Sequence, residues 1–432
     1  MSHLSQLLDE SARTAVTAED TVSGWSVGLV LFGICLTLPT LYTGAITAEQ
    51  LGFVDAAKAI GLASAVLALM SIPAAIVGAQ TRLSSYLIIE FVFGKKGSDY
   101  VNILLALTLL GWFAVTAGFF GQTLAIALEE IWGLAPPTWS LTLVSSALIL
   151  VTTLFGFKAI DRLALFAVPL LICFLIYVSK LAMTDVSWPA VLNIRGANPD
   201  YFYTAVSTVV GSLIVGVVLM PDLSRYARTT GDCVSASLLG NGLGNFFSML
   251  MGVLPAMITG LVDPMAYMIA LGLAGSAFII LVFATWTTNS VNLYSTTLAV
   301  AVVRTKTPEW QLMLVSGAVG TGLAMLGITD HFIEFLEWLG VIVPPIAGIY
   351  LVDYFLLGQQ RFPSELRASL PDYDRAAMAA WVIGTILSAI IFVTEVSVSN
   401  IPRLDELVVT SPIYLVCRRC WPSRLNRSPS AA

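Results

Sequence analysis

Charged residues are scarce in this sequence. Asp, Glu, Lys and Arg make up 11% of the 432 residues and hydrophobic residues make up 57%, whereas a soluble domain usually carries about 25% charged residues. So few charges exclude an ordinary soluble domain. We therefore predict an all-α integral membrane protein that crosses the lipid bilayer many times.

Further absences narrow the range of functions. The chain has only two histidines, which argues against a His-based metal centre. It has no GxxxxGK[ST] motif to hold a nucleotide, which disfavours ATP-driven transport. Because no nucleophile–base pair and no set of metal ligands is visible, we expect neither an enzyme nor a resident cofactor, and we expect no nucleic-acid partner.

The cysteines are few and scattered. They indicate no disulfide framework: Cys35, Cys173, Cys233, Cys417 and Cys420. The last two form a CxxC beside two arginines, but no second pair accompanies it. We interpret these two side chains as unpaired thiols at a membrane edge.

Apolar runs dominate what is present. About 20 mostly apolar residues cross a bilayer as a helix, and twelve segments meet this rule: 24–46, 56–78, 101–128, 138–157, 162–183, 201–220, 236–260, 267–302, 311–328, 332–357, 376–395 and 401–417. The eighth is long enough to be two elements, or one helix that projects beyond the bilayer, and the twelfth is the weakest because charged residues crowd its start.

The loop charges predict the orientation. With the N-terminus inside, the inner loops hold most of the basic residues, including Arg82, Lys95 and Lys96, while the outer loops carry acidic residues such as Glu49 and Asp263. This is a positive-inside bias. We therefore expect both termini in the cytoplasm and the spans in the inner (plasma) membrane. The polar N-terminus lacks the features of a cleavable signal peptide.

The spans suggest a repeat of five plus five helices followed by two more. Span one contains Gly33, Pro39 and Gly44, and span six contains Gly211-Ser212, Gly216 and Pro221. Transporters built from inverted repeats bind substrate where the first helix of each repeat is broken. The expected parts are a cytoplasmic tail (1–23), a first repeat (24–183), a second repeat (201–357), two additional helices (376–417) and a basic cytoplasmic tail (418–432). The alternative is that these glycines only let helices pack closely.

A polar segment interrupts the eighth apolar run. Phe283–Tyr294 carries four Thr and Ser hydroxyls and two amides. Ala284, Thr287 and Thr288 would share one helix face, and their neutral oxygens suit a dehydrated monovalent cation. Alternatively, the hydroxyls bond to carbonyls one turn earlier or to a neighbouring helix. The segment taken alone favours this second interpretation.

Spans three and six offer candidate substrate contacts. Trp112 lies deep in an apolar helix, where its ring is a platform for a flat solute or a packing residue. Ser212 follows Gly211 and could bond a ligand or a neighbouring helix. The central parts of the spans hold almost no charged residues, which favours a neutral, planar, hydrogen-bonding solute. We interpret the motif Pro221–Tyr226 as a gate or a topology anchor.

Five stretches resemble one known family. The chain resembles a cytosine/purine permease of the nucleobase–cation symport family one, whose fold is of the leucine-transporter type: twelve transmembrane helices, a five-plus-five inverted repeat with discontinuous helices 1 and 6, and two extra helices. The stretches that carry the resemblance are Gly78–Ser85 continuing to Phe93–Ser98, Gly111–Phe113, Val210–Ser212, Trp286–Asn289 with Leu293-Tyr294, and Pro344–Gly348 leading to Asp353-Tyr354.

The resemblance implies a sodium site and a base site. Sodium would lie between spans one and eight, bound by the backbone carbonyls of Gly33, Leu36 and Ala284 and by the hydroxyls of Thr287 and Thr288. The base would stack on Trp112 and meet the backbone at Ser212. The chain departs from the family at three positions of this pocket. Cytosine permeases that resemble it have a glutamine at the position of Leu109, hydantoin-type members have a glutamine at the position of Thr116, and the family has an aromatic residue at the position of Leu213. Asn289 and Asn292 are further candidates for substrate contact.

These features lead to one main functional prediction and two alternatives. We predict a sodium-coupled importer of a nucleobase, either cytosine or a related pyrimidine or purine, that works by alternating access. One alternative is a proton-coupled symporter of a related heterocycle, such as hydantoin, allantoin or a thiamine-precursor pyrimidine. The other is a membrane sensor that does not transport. The sequence leaves the oligomeric state open.

Overall fold

The computed structural model describes residues 15–304, 306–357, 367, 369–394 and 402–422. Within these ranges the side chains of 155–168, 277, 280, 281, 283, 287, 402–404, 406 and 407 are not described. The described chain is almost entirely helical. Its α-helices are α1 (Gly24–Cys35), α2 (Leu38–Thr81), α3 (Ser85–Phe93), α4 (Gly97–Trp132), α5 (Thr138–Ala182), α6 (Trp188–Leu192), α7 (Phe202–Val218), α8 (Met220–Ser224), α9 (Thr230–Ser237), α10 (Asn245–Thr259), α11 (Pro264–Ala270), α12 (Ala274–Val303), α13 (Glu309–Met325), α14 (Phe332–Ile342), α15 (Pro344–Phe355), α16 (Arg375–Thr394) and α17 (Pro402–Cys420).

Among the described residues, six helical stretches are long and apolar enough to cross a membrane: Leu38–Thr81, Gly97–Trp132, Pro199–Val218, Thr230–Thr259, Ile328–Phe355 and Arg375–Thr394. Three shorter apolar helices accompany them: Gly24–Cys35, Thr138–Leu154 and Pro169–Ala182. The expected multi-span architecture is therefore present. The count of twelve spans and the inverted repeat stay predictions.

The first two expected spans are arranged differently from the prediction. Span one breaks after Cys35, as its composition suggested, but its second half continues into span two as the single helix α2. The expected loop at 47–55 is replaced by a kink at Gly52, which has φ +76° and ψ 175°. A Cβ at Gly52 would lie 2.4 Å from the Ile194 carbonyl oxygen. Only glycine fits both the backbone angle and this close approach.

Three other boundaries differ from expectation. The two spans expected at 138–157 and 162–183 lie within one helix, α5. The expected loop between spans two and three contains a buried helix, α3. Span ten is divided at Val343, directly before Pro344-Pro345, into α14 and α15, because proline removes a helical donor and clashes with the preceding turn. Span eight is indeed two elements, α11 and α12.

Helices of the core approach each other backbone to backbone. A Cβ at Gly44 would lie 2.2 Å from the carbonyl oxygen of Met249, and one at Gly252 would lie 2.2 Å from that of Leu41. Small residues allow this contact between membrane helices. A π-helix, Leu238–Gly244, leads into α10. The packing of α2 on α10, and of α4 on α12, forms the framework of the molecule.

The chain before α1 crosses one end of the molecule as a strap, which we define as residues 16–24. Val16 donates to the carbonyl of Arg82 (3.0 Å), Val22 donates to that of Tyr226 (2.7 Å), and the Gly24 amide donates to Asp232 Oδ1 (2.6 Å). We call this end the basic end, because Arg82, Lys96 and Arg418 lie there. The opposite, acidic end carries Glu49, Asp263 and Asp330.

Candidate ion and substrate site

The break in span one lies at Leu36 and Thr37. Leu36 has φ −84° and ψ 70°, and Thr37 is extended. The Leu36 amide donates to the Gly33 carbonyl (3.1 Å). In a continuous helix the Thr40 amide would donate to the Leu36 carbonyl. Here the Thr40 amide donates to the Thr37 hydroxyl instead, at 3.4 Å. The predicted interruption is therefore present, and it releases a backbone carbonyl from the helical pattern.

The interruption of span six lies later than Gly211-Ser212. Helix α7 runs unbroken through these residues to Val218, and the break comes at Leu219, shortly before Pro221. The Ser212 hydroxyl donates to the Val209 carbonyl at 2.7 Å, so it takes the bond within its own helix that the sequence left open as an alternative. Leu213 beside it is half-buried.

Trp112 packs edge-on against span ten. Its ring centroid lies 5.6 Å from that of Phe335 and 6.3 Å from that of Phe332, with interplanar angles of 78° and 74°. A Cβ at Gly111 would lie 2.5 Å from Phe335 Cε2, and one at Gly211 would lie 2.5 Å from the Leu336 carbonyl oxygen. Consecutive residues of α14 thus lie against spans three and six, between Trp112 and Ser212.

Aromatic rings continue this contact towards the acidic end. Tyr42, Phe119 and Phe332 have mutual centroid distances of 5.1, 5.3 and 6.1 Å. One turn further, Gln122 Nε2 donates to the Thr329 hydroxyl at 3.2 Å. Spans one, three and ten are therefore packed together on the acidic side of Trp112. These ring contacts could not be predicted from the sequence, since they join residues far apart in the chain.

The polar segment of span eight lies on α12 and has two kinds of faces. Leu293 and Trp286 pack towards spans three, four and nine, and Trp286 Nε1 donates to the Thr152 hydroxyl at 2.9 Å. Ala284 instead belongs to the large core that also contains Leu36 and Leu109, with Trp112 and Leu213 packed against it. This core extends through most of the described molecule, so it does not by itself show that the five residues form one site.

Some polar side chains of the segment donate to a carbonyl one turn earlier in the same helix, and others have no such bond. The Ser290 hydroxyl donates to the Trp286 carbonyl at 3.0 Å. In contrast, Asn289 is fully buried, and its Oδ1 and Nδ2 have no hydrogen-bond partner among the described residues. The same holds for the Thr285 hydroxyl one turn earlier. Buried polar groups are normally paired, so these two side chains are candidates for contact with a ligand.

Thr285 was not among the residues chosen from the sequence. Its spacing from Asn289, four positions, is a signal that could have identified it. Thr288 and Asn292 are half-buried on the same helix, and the Thr287 side chain lies outside the described residues. The sodium ligand set of Gly33, Leu36, Ala284, Thr287 and Thr288 therefore stays a prediction.

The pairing of α4 with α12 shows where Asn289, Asn292 and Thr116 lie along the axes of these two helices. The helices run antiparallel, since Trp132 stacks on Phe278 (6.1 Å) near one end and Ala106 packs with Ala299 near the other. Helices rise equally per residue, so Asn292 lies near the height of Thr116, which is buried. Asn289 lies about one turn closer to the acidic end. The substrate assignments of Trp112, Leu109, Thr116, Asn289 and Asn292 stay predictions.

A surface cavity of about 510 Å³ lies elsewhere, between α4 and α16. Its lining is mostly apolar and exposed, as expected where helices face lipid: Tyr100, Ile103, Leu104, Leu107, Tyr373, Met378 and Trp381. We do not assign it to the candidate site. Among the described residues no group of three or more His, Cys, Asp or Glu side chains could hold a metal ion.

Comparison with known proteins identifies the family. The model of a family described as permeases for cytosine/purines, uracil, thiamine and allantoin matches residues 15–416. The chain belongs to this family. The cytosine permease of Escherichia coli O157:H7 is 30% identical over 376 residues, which cover 87% of this chain and 86% of the relative. The hydantoin permease of Microbacterium maritypicum is 27% identical over 393 residues, which cover 82% and 77%.

Solved structures share the fold. The inward-facing conformation of Mhp1 has a TM-score of 0.83 at 18% identity and covers 94% of this chain and 92% of its own. The closed conformation of Mhp1, a nucleobase-cation-symport-1 family transporter, with bromovinylhydantoin bound, has a TM-score of 0.78 at 19% identity and covers 94% and 95%. The permease is therefore a multi-pass membrane transporter of the nucleobase type and not an enzyme.

Proposed function

We propose that this permease imports a nucleobase or a closely related heterocycle by sodium-coupled symport. The observation that carries the proposal is that span one is broken while span eight holds buried polar groups without partners among the described residues. The break at Leu36 releases a carbonyl, and α12 presents buried polar groups without partners, Thr285 and Asn289. In an apolar interior such groups cost free energy unless a ligand satisfies them.

Sodium would be held by neutral oxygens alone. The carbonyls of Gly33, Leu36 and Ala284 and the hydroxyls of Thr287 and Thr288 supply five such ligands, and no carboxylate is needed for a monovalent cation. A bound ion would fix the broken end of span one against span eight. This would favour one arrangement of the helices, because a ligand shifts a conformational equilibrium by its differential affinity for the two states.

The substrate would stack on the free face of Trp112. Phe335 lies nearly perpendicular to this ring, at 5.6 Å between centroids, and a planar base would take a face of the indole. Leu109 and Leu213 cannot donate or accept hydrogen bonds. The edge of the base would therefore be bound chiefly by Asn289, with Asn292, Thr116 and the backbone at Ser212 as further contacts. Each amide can both donate and accept, which matches a heterocycle with alternating polar atoms.

The basic end would face the cytoplasm of a cell whose inner membrane holds the protein. The distribution of Arg82, Lys96 and Arg418 supports this orientation, since basic loops stay on the cytoplasmic side. The rings of Tyr42, Phe119 and Phe332 contact one another on the acidic side, and in the proposed cycle they would close that side. With this orientation the closed side would be the outer one.

Uptake into proteoliposomes tests the coupling ion. We expect uptake of labelled cytosine, or of the heterocycle found by a thermal-shift screen, to follow an inward sodium gradient and not a pH gradient. Thr288→Ala should weaken sodium and substrate binding together, because coupled ligands tighten each other by the same factor. Thr297→Ala is the matched control, since that hydroxyl only donates to the Leu293 carbonyl (2.8 Å).

The outcomes separate the alternatives. Uptake driven by a pH gradient and insensitive to sodium would replace sodium coupling by proton coupling. Binding in the thermal-shift screen without uptake under either gradient would favour a sensor. Normal sodium-dependent uptake by Thr288→Ala would show that this hydroxyl is not a ligand.

A further inference from the structure

Asp353 is a buried acid near the basic end of α15, and the proposed transport cycle assigns it no role. It is 1% exposed, in a helix that leads away from Pro344-Pro345. Ionisable side chains inside membrane helices are costly and normally have a function. Asp353 lies far along span ten from Phe335, which contacts Trp112, so its role is separate from the substrate site.

Three helices meet around this side chain. The Tyr414 hydroxyl on α17 donates to Asp353 Oδ1 at 2.5 Å. Arg418, one turn further on α17, also donates to the Tyr414 oxygen, and its Nη2 lies 3.5 Å from Asp353 Oδ1. Arg418 Nη1 donates to Asp374 Oδ2 at 2.7 Å. Asp353 Oδ2 is buried and has no hydrogen-bond partner among the described residues.

The charges of this cluster do not balance. It contains the carboxyl groups of Asp353 and Asp374 and the single guanidinium of Arg418. Asp374 holds the guanidinium at the shorter distance and also accepts the Ala377 amide at 2.9 Å, at the N-terminus of α16. A carboxylate there is stabilised by both contacts. Asp353 would be the poorly compensated charge, and a buried uncompensated charge costs several kcal/mol.

Neighbouring charges do not supply the missing compensation. Glu90 is bound by Arg367 (3.0 Å), and Asp372 by Lys96 (2.7 Å). Tyr354 donates to Gln80, and Tyr350 donates to the Val218 carbonyl. Four further charged groups of the described side chains lie apart from Asp353: Arg375 and Arg419 are exposed, Asp405 lies at the far end of α17, and Asp222 lies at the N-terminus of α3. The two cysteines of α17, Cys417 and Cys420, are free thiols and bring no positive charge.

We propose that Asp353 is a proton-binding site. The proton adds to Oδ2 and converts the carboxylate to a neutral carboxylic acid, while Oδ1 continues to accept the Tyr414 hydroxyl. The proton comes from the aqueous phase at the basic end. The remaining charges, Arg418 and Asp374, then form a neutral pair. Proton binding thereby removes the uncompensated charge where α15 packs on α16 and α17, and it stabilises the contact between these helices.

Infrared difference spectroscopy of the full chain tests the proposal directly. At neutral pH the wild type should show the carbonyl band of a protonated carboxylic acid, and Asp353→Asn should lack it. Asp372→Asn is the matched control, because Asp372 is an exposed acid paired with Lys96, and it should retain the band. The proposal would be overturned if Asp353→Asn kept the band, or if the wild type did not show it.

Reversible unfolding in detergent gives a second test. One extra proton bound by the folded chain changes the ratio of folded to unfolded protein by about tenfold per pH unit, in favour of the unfolded chain as the pH rises. We expect this one-proton contribution in wild type and in Asp372→Asn and its loss in Asp353→Asn, which keeps the smaller contribution of other buried carboxyls such as Asp222. Asn resembles the neutral acid in shape, so the variant should fold. A strongly destabilised Asp353→Asn at every pH would show instead that the ionised form is the native one.

Discussion

Asn289 in the middle of α12 and Asp353 near the end of α15 are both buried polar side chains, yet their surroundings differ. Asn289 is neutral, and its amide has no hydrogen-bond partner among the described residues. Asp353 is ionisable and lies in a network with Tyr414, Arg418 and Asp374. A neutral group can be left without a partner at a cost of about 1–3 kcal/mol. An isolated charge cannot, and this explains why the charged residues are grouped away from the candidate substrate site.

Removal of Arg418 should have the largest effect on stability. In Arg418→Ala the carboxyl groups of Asp353 and Asp374 lose their only cation in the cluster, and breaking a buried pair costs about 3–5 kcal/mol. Thermal unfolding in detergent measures the loss. Arg419→Ala is the control, because Arg419 is the exposed neighbour on the same helix. Equal stability of the two variants would show that the carboxyl groups around Asp353 do not need a compensating cation.

A methyl group at Gly211 should separate span six from span ten. The added Cβ would lie 2.5 Å from the Leu336 carbonyl oxygen, and overpacking of this kind costs about 1–3 kcal/mol. We expect Gly211→Ala to favour arrangements in which α14 moves away from α7. Thiol labelling of Phe332→Cys should then become roughly tenfold faster or more. Gly216→Ala on the same helix has nothing within 4 Å and should leave the labelling rate unchanged.

Replacing Asn289 should reduce uptake without reducing stability. Asn289→Leu removes an amide that the described structure leaves unpaired, so the free energy of unfolding should stay equal or rise by about 1 kcal/mol. Uptake of the labelled heterocycle should be lost, because the amide would bind the base. Asn102→Leu is the control: its amide is also buried and without a partner, but it lies near the basic end of α4. A loss of uptake in both variants would remove the evidence for a specific site.

The smallest effect is expected at Asp222, which lies outside the spans at the basic end. Burial raises the pKa of this carboxyl, while Arg225 and the Ser85 amide oppose the shift. A carboxyl whose folded-state pKa is raised contributes stability at low pH, and this contribution is lost as the pH rises through the folded pKa. Asp222→Asn should therefore weaken the decline in melting temperature between acid and neutral pH. A steeper decline would show that the ionised form is favoured.

The sequence predicted those features that depend on local composition. The break of span one follows from Gly33 and Pro39, and the two-part span eight follows from its length. Gly52 and the helix α3 could not be predicted in this way. The kink at Gly52 depends on the close approach of Ile194, and α3 is a short helix whose burial depends on packing. The position of the break in span six, at Leu219, likewise depends on where α7 stops contacting its neighbours.

For the candidate site, the sequence identified residues but not their partners. It singled out Trp112 and Asn289 by their residue types at unusual positions. It could not show that Phe335 packs against Trp112, or that Ser290 and Ser212 bond within their own helices while Thr285 and Asn289 do not. Such distinctions depend on contacts between helices that are far apart in the chain.

The strap of residues 16–24 has a mechanical consequence. Arg82 at the end of α2 donates from its guanidinium to the carbonyls of Arg225, Ala227 and Arg228, and the strap adds backbone bonds from Val16 and Val22 to the same two regions. The starts of spans one and seven and the ends of spans two and six are thus joined by hydrogen bonds at the basic end. We expect a displacement of either broken helix at this end to shift the other helix with it.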